Sequence, residues 1–172
     1  MSRLLIALSM FALTLALSAC ESPEEPTETK TAAPMVALKA PASSDDKEWK
    51  LYLQAVVSQN MAGVTDRVFP YYLPANSAVP TPGDSQGRSQ YDRQLENVTS
   101  VLSRTVLPGN MLVFGSPDSA KMADLVVSAF SGGKPDALKG SQVLFIGKPE
   151  DNARVQTSVA AVGAKYIFVE SK

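Results

Sequence analysis

Two short loops carry the residues best suited to hold a ligand: Gly115-Ser116-Pro117-Asp118-Ser119 and Gly147-Lys148-Pro149-Glu150-Asp151. Each follows a short apolar run and precedes an amphipathic stretch, so each joins a strand to the N-terminus of a helix. Free backbone N–H groups and the helix dipole favour an anion there, with Ser116, Ser119 and Lys148 as side-chain donors. Asp118, Glu150 and Asp151 act against that chemistry. They complement the dipoles themselves and would repel a phosphate, so helix capping is the favoured reading of both loops. The same carboxylates are suitable for a hard cation, but no EF-hand loop accompanies them and no metal is assigned. The candidate ligand-binding set is Ser116, Asp118, Ser119, Lys148 and Glu150.

Other chemistry is limited by composition. The 172 residues contain no histidine and one cysteine, Cys20. Histidine acid–base catalysis, Ser/His/Asp triads and His/Cys zinc sites are therefore excluded. Neither loop matches a dinucleotide fingerprint or a P-loop, and no cofactor is implied. Gly132-Gly133-Lys134 reads as a helix stop. Ser44-Asp45-Asp46-Lys47 has a Ser-x-x-Lys spacing without its companion motifs and carries no weight. With 16 Lys+Arg against 17 Asp+Glu, the net charge is −1, which argues against a nucleic-acid partner. A different surface signal comes from Phe69-Pro70-Tyr71-Tyr72-Leu73-Pro74. Packing of this segment onto the core is the favoured reading, and Phe69, Tyr71 and Tyr72 are the candidate partner contacts.

The elements that position these residues follow from periodicity. Asp45 and Glu48 stand in the capping-box relation, and Trp49, Leu53, Val56, Val57 and Met61 share one helix face. Residues 75–88 are rich in Pro, Gly, Ser and Asn and read as a loop. A second helix is expected from about Ser89 to Val106, on Tyr91, Leu95, Val98, Leu102 and Val106, with Pro108-Gly109 as its stop. Three apolar runs follow: Met111–Phe114, Val143–Ile146 and Tyr166–Val169. The first intervening helix is expected to open on Ser116 as N-cap and Pro117 at N1, the second on Pro149.

The two strand–turn–helix units repeat at an offset of 32: Leu112, Gly115, Pro117, Val127 and Ala129 align with Leu144, Gly147, Pro149, Val159 and Ala161, and Asp118 with Glu150. Each glycine is expected to free the turn after its strand. Continuous apolar strands point to burial on both faces. The fold class is therefore α/β, Rossmann-like: a small three-stranded parallel sheet (β-α-β-α-β) preceded by two helices, in strand order 2-1-3 or 1-2-3. Pairing of its edge with another chain, or with a strand from residues 64–74, is left open.

The chain begins MSRLLIALSMFALTLALSAC. Arg3 gives a positive n-region, and the apolar stretch Leu4–Leu17 is too short to span a bilayer as a helix. Leu17-Ser18-Ala19-Cys20 resembles the lipobox of bacterial lipoproteins. The resemblance implies cleavage after Ala19, a diacylglyceryl thioether on Cys20 and acylation (palmitate or a similar chain) of the new amino terminus. Glu21 follows where an aspartate favours inner-membrane retention in enteric lipoproteins, so the rule points to the outer membrane.

The expected organisation is a cleaved signal peptide (1–19), the lipidated cysteine with a Pro/Glu/Thr/Ala-rich tether (20–45), and one globular domain (46–172). That domain divides into a helical part (46–109) and the βαβαβ part (110–172). Within the tether, Met35-Val36-Ala37-Leu38 is a short apolar strip, read as spacer in preference to recognition element. The functional expectation is an envelope lipoprotein facing the periplasm, attached to the membrane through its lipid and binding or assembling an envelope protein partner. The alternatives are a Rossmannoid enzyme or small-ligand domain with its pocket at the strand ends, and a plain structural spacer. No catalytic residue is nominated.

Overall fold

The computed structural model describes residues 38–104 and 106–172. The signal peptide, Cys20 and most of the tether lie outside the described residues. Helix α1 (Asp46–Gln59) comes first, then strand β1 (Val68–Tyr72) and helix α2 (Gln90–Ser103). Strand β2 (Met111–Gly115), α3 (Ser119–Phe130), β3 (Gln142–Gly147), α4 (Pro149–Ala161) and β4 (Lys165–Glu170) complete the order.

The class is α/β with a parallel sheet, as expected, but the sheet has four strands and not three. The order is β1-β2-β3-β4, and all three pairings are parallel. The additional strand is the aromatic segment, so residues 46–109 are not purely helical. Its register pairs Val68 with Met111 and Tyr72 with Gly115. Pro70 is tolerated because β1 is an edge. The Leu73 N–H donates to the Gly115 carbonyl (3.3 Å) and the Met111 N–H to the Arg67 carbonyl (2.8 Å). By alternation Val68, Pro70 and Tyr72 turn their backbone polar groups outward, where a missing N–H breaks no ladder bond.

Each step moves one strand along the sheet in the same direction, so right-handed crossovers place α2, α3 and α4 on one face. That face holds the larger core: Val98 and Leu102 of α2, Met122 and Val126 of α3, and Val155 and Val159 of α4 meet Leu112, Phe114, Val143 and Phe145. Phe114 is fully buried, stacked on Tyr71 (centroids 5.0 Å) and edge-on to Phe130 (5.9 Å). The other face carries α1 alone: Trp49, Tyr52, Leu53 and Val56 cover Met111, Val113, Leu144 and Ile146. Strands β2 and β3 are thus buried on both sides, which explains their unbroken apolar runs.

Helix ends follow local chemistry. Asp45 caps α1 by accepting from the Lys47 and Glu48 N–H groups, but the Glu48 carboxylate takes the Ser43 hydroxyl and no reciprocal box closes. Ser89 and Asp92 do form a reciprocal box at α2. That helix ends at Ser103, not Val106, with Val106 in the following loop. Helix α3 opens later than its Ser116-Pro117 signal: Asp118 is the N-cap and accepts from the Lys121 N–H at 3.0 Å. Asp118 displaces Ser116 from that role because its carboxylate reaches the third N–H of the turn. Pro149 does open α4 at N1.

The repeated glycines serve packing, not turn geometry. Neither Gly115 nor Gly147 has positive φ. A Cβ on Gly115 would collide with the Leu53 side chain of α1. One on Gly147 would lie 2.6 Å from Ser119 Oγ and 2.7 Å from the Phe145 ring. Helices approach the sheet too closely there for any side chain.

Candidate functional site

Parallel strands bring the two loops to the same end of the sheet. Together they line a cavity of about 360 Å³ with Asp118, Ser119, Lys148, Glu150 and Asp151 on its walls. Four of the five candidate ligand residues therefore meet. Ser116 does not join them: it is 1% exposed, and its hydroxyl accepts from the Asp118 N–H at 3.0 Å. Ser44, at the root of the tether, lines the same cavity from the opposite side. Sequence reading gave no sign of that approach.

The polar groups of this end are largely committed to one another. Ser119 Oγ donates to Asp151 Oδ2 at 2.6 Å and accepts from the Lys148 N–H at 2.8 Å. The second oxygen of Asp151 accepts from Arg154 Nη2 (2.7 Å) and Nε (3.2 Å). Arg154 also pairs with Asp124 and donates to the Ala120 carbonyl at 2.9 Å. Its guanidinium is held above its ordinary value by the hydrogen bonds to Asp124 and then Asp151. Asp118 caps α3 and pairs with Lys121 at 3.5 Å.

Ser119 and Asp151 occupy equivalent positions of the 32-residue repeat, so the two units are joined by a bond between their own counterparts. The repeat does not announce this latch, because the two positions differ in residue type. Among the described residues Glu150 lies exposed without a partner for its carboxylate, and Lys148 is the other group left over. Among the described residues no carboxylate lies within ion-pair distance of its ammonium, and its side chain caps nothing. The arrangement can bind a polar group through Lys148, but Ser119 already serves as both donor and acceptor. Glu150 stands exposed on the cavity wall, and no serine, tyrosine or lysine is hydrogen-bonded to its carboxylate among the described residues.

The aromatic candidates lie along the β1 edge. Tyr71 is 5% exposed and faces the α2 side, where it packs on Phe114; it is a core residue and not a surface contact. Tyr72 is half-buried on the α1 face. Its hydroxyl donates to Asp46 Oδ1 at 2.9 Å, and Lys50 Nζ sits 5.4 Å above its ring. Burial, then the bond to Asp46 and its charge, raise the Tyr72 phenol well above the usual range.

Tyr72 borders a groove of about 490 Å³ between α1 and β1, walled by Leu53, Val57, Val68 and Pro70. On the opposite face Phe69 borders a second groove of about 390 Å³, with Val101, Val106 and the 66%-exposed Leu107. The other edge of the sheet differs. At β4 the segment before α1 folds back: Leu38 and Ala40 pack on the α1-side core, and the Ala40 N–H donates to the Lys172 carbonyl at 2.7 Å.

No group of three or more metal-ligating side chains occurs among the described residues, and no helix there is long and apolar enough to cross a membrane. No protein-family model, curated protein or solved structure matches this chain.

Proposed function

We infer that this chain is a bacterial envelope lipoprotein whose α/β domain is a binding or assembly module. Lipid on Cys20 would hold the domain at a membrane, the outer one by the Glu21 rule, and the domain would engage an envelope protein from the periplasmic side. The lipobox carries the first half of this reading. The observation that carries the second is the contrast between the two places: at the strand ends Ser119, Asp151 and Arg154 satisfy one another and Asp118 pairs with Lys121, which leaves Lys148 and Glu150, whereas the β1 edge keeps outward backbone groups and an apolar groove on each face. Interfaces are enriched in such aromatic and apolar surface. A charge-based alternative has little support, since the domain carries no basic surplus that would hold it on anionic lipid.

A second reading keeps a Rossmannoid small-ligand site at the strand ends. The cavity shared by both loops favours it, and Lys148 would be its anchoring group. The strand order argues the other way. Open α/β sheets bind ligands where the order reverses, and β1-β2-β3-β4 has no reversal.

The test separates anchor from module. Cys20→Ala is expected to move the protein from the membrane fraction to the carbonate-soluble one. Retention in the washed membrane would overturn the lipid anchor. Full-length protein purified from its own membrane in mild detergent should retain an envelope protein at near-stoichiometric amount by mass spectrometry. An empty preparation would overturn the module.

A further inference from the structure

We propose that the open β1 edge, with the grooves on its two faces, is a docking site for an extended, acidic segment of a partner protein, apolar at alternate positions. This deepens the binding-module reading and rests on it. The backbone supplies the first argument. Val68 and Tyr72 direct N–H and C=O groups away from the sheet, and Pro70 between them offers only a carbonyl. An incoming strand can bond at either end of β1 and must relax opposite Pro70.

Pro70 also selects against self-pairing. A two-fold pairing of β1 with β1 of a second copy, centred on this strand, would set two proline rings face to face and lose both central bonds. That centred register is closed to a second copy, and the proposed occupant is a different chain. Side chains supply the second argument: an added strand projects alternate residues to opposite faces of the sheet. The α1-side groove and the α2-side groove lie where those residues would fall.

Charge supplies the third. Lys50 lines one groove, and Arg67, Arg104 and Asp66 line the other. Among the described residues Lys50 and Arg104 have no carboxylate within ion-pair distance, and Arg67 has only Asp66 at 3.9 Å with its own side chain 78% exposed. The two grooves thus carry three cationic side chains against one carboxylate, in a chain of net charge −1. Acidic residues flanking the apolar positions of the ligand would complement that cationic surplus. β4 is the other edge, but there the segment before α1 adds Leu38 and Ala40 to the α1-side core and one bond from the Ala40 N–H to the Lys172 carbonyl beyond the strand end.

The experiment uses the full-length lipidated chain in its native cells, with a photo-crosslinking phenylalanine analogue at Gln54 or at Leu107. Both positions are exposed and lie in opposite grooves. The expected result is that both probes reach one short acidic segment of the same protein, mapped by mass spectrometry. Reversing Arg67 and Arg104 to Glu should cut the yield by about tenfold, whereas Lys134→Glu, exposed and outside both grooves, should leave it unchanged. Crosslinks to separate segments, to a second copy, or to residues 21–37 of the same chain would overturn the proposal. So would a yield indifferent to the reversals. If the detergent preparation still holds a stoichiometric partner after the reversals, only this site fails. If no partner is held by the parent chain, the module reading fails with it.

Discussion

At the scale of single residues, the central question is whether Asp151 is structural or waits for a ligand. Its side chain is 8% exposed, and both oxygens are engaged, one by Ser119 and one by Arg154. Removing it strands the Ser119 hydroxyl and one arm of a guanidinium. Arg154 is 38% exposed and can rehydrate, which reduces the cost below that of breaking a fully buried pair. Asp151→Ala is therefore expected to cost about 2 kcal/mol and Ser119→Ala about 1 kcal/mol. The double variant should fall short of their sum, since both remove the same bond. Urea unfolding of the three variants measures this. An Asp151→Ala midpoint equal to the parent's would mean that the carboxylate is spare, and would return the strand end to consideration as a binding site. The loops themselves were legible in the sequence because Gly, Pro and acidic residues recur at a fixed offset. The latch was not, because it joins positions 119 and 151 through space.

At the scale of elements, β1 shows why part of the fold could not be read. Val68-Phe69-Pro70-Tyr71-Tyr72 has the aromatic and branched character of a strand. A proline at its centre argues against a strand unless the segment is an edge, and edge status is a property of the whole sheet. By contrast, β2 and β3 are announced by their own composition, since burial on both faces needs continuous apolar residues. The helices were legible to within a turn from their apolar faces. The start of α3 moved because Asp118 outcompetes Ser116 as a cap. The proline has a consequence of its own. Pro70→Val would restore an outward N–H at the middle of β1 and complete the exposed donor row. Edge strands with complete rows pair with one another. The variant is expected to self-associate more than the parent chain at equal concentration, read by sedimentation velocity. Unchanged sedimentation would mean that the β1 edge is not accessible to a second strand and would weaken the docking proposal with it.

At the scale of the whole molecule, the layers are unequal. Three helices cover one face of the sheet, and α1 covers the other. One helix cannot span four strands about 4.8 Å apart, so each margin of the α1 face needs another cover. At β4 the chain provides it with Leu38 and Ala40, tied by the Ala40–Lys172 bond and followed by Ser43, whose carbonyl accepts from Trp49 Nε1 at 2.8 Å. The folded unit therefore begins before α1, within what reads in the sequence as tether. A chain starting at residue 42 loses the half-buried Leu38 and Ala40 and one backbone bond, and is expected to be about 2 kcal/mol less stable than one starting at residue 38. Trp49 fluorescence during urea unfolding reports it directly. Equal midpoints would place the start of the folded unit at α1. The expected loss would place the start of the folded unit at or before residue 38, not at residue 46. It would also fix the tether root at the β4 margin, across the sheet from the open β1 edge. A partner docked along β1 would then leave the Ala40–Lys172 contact at the opposite margin of the sheet undisturbed.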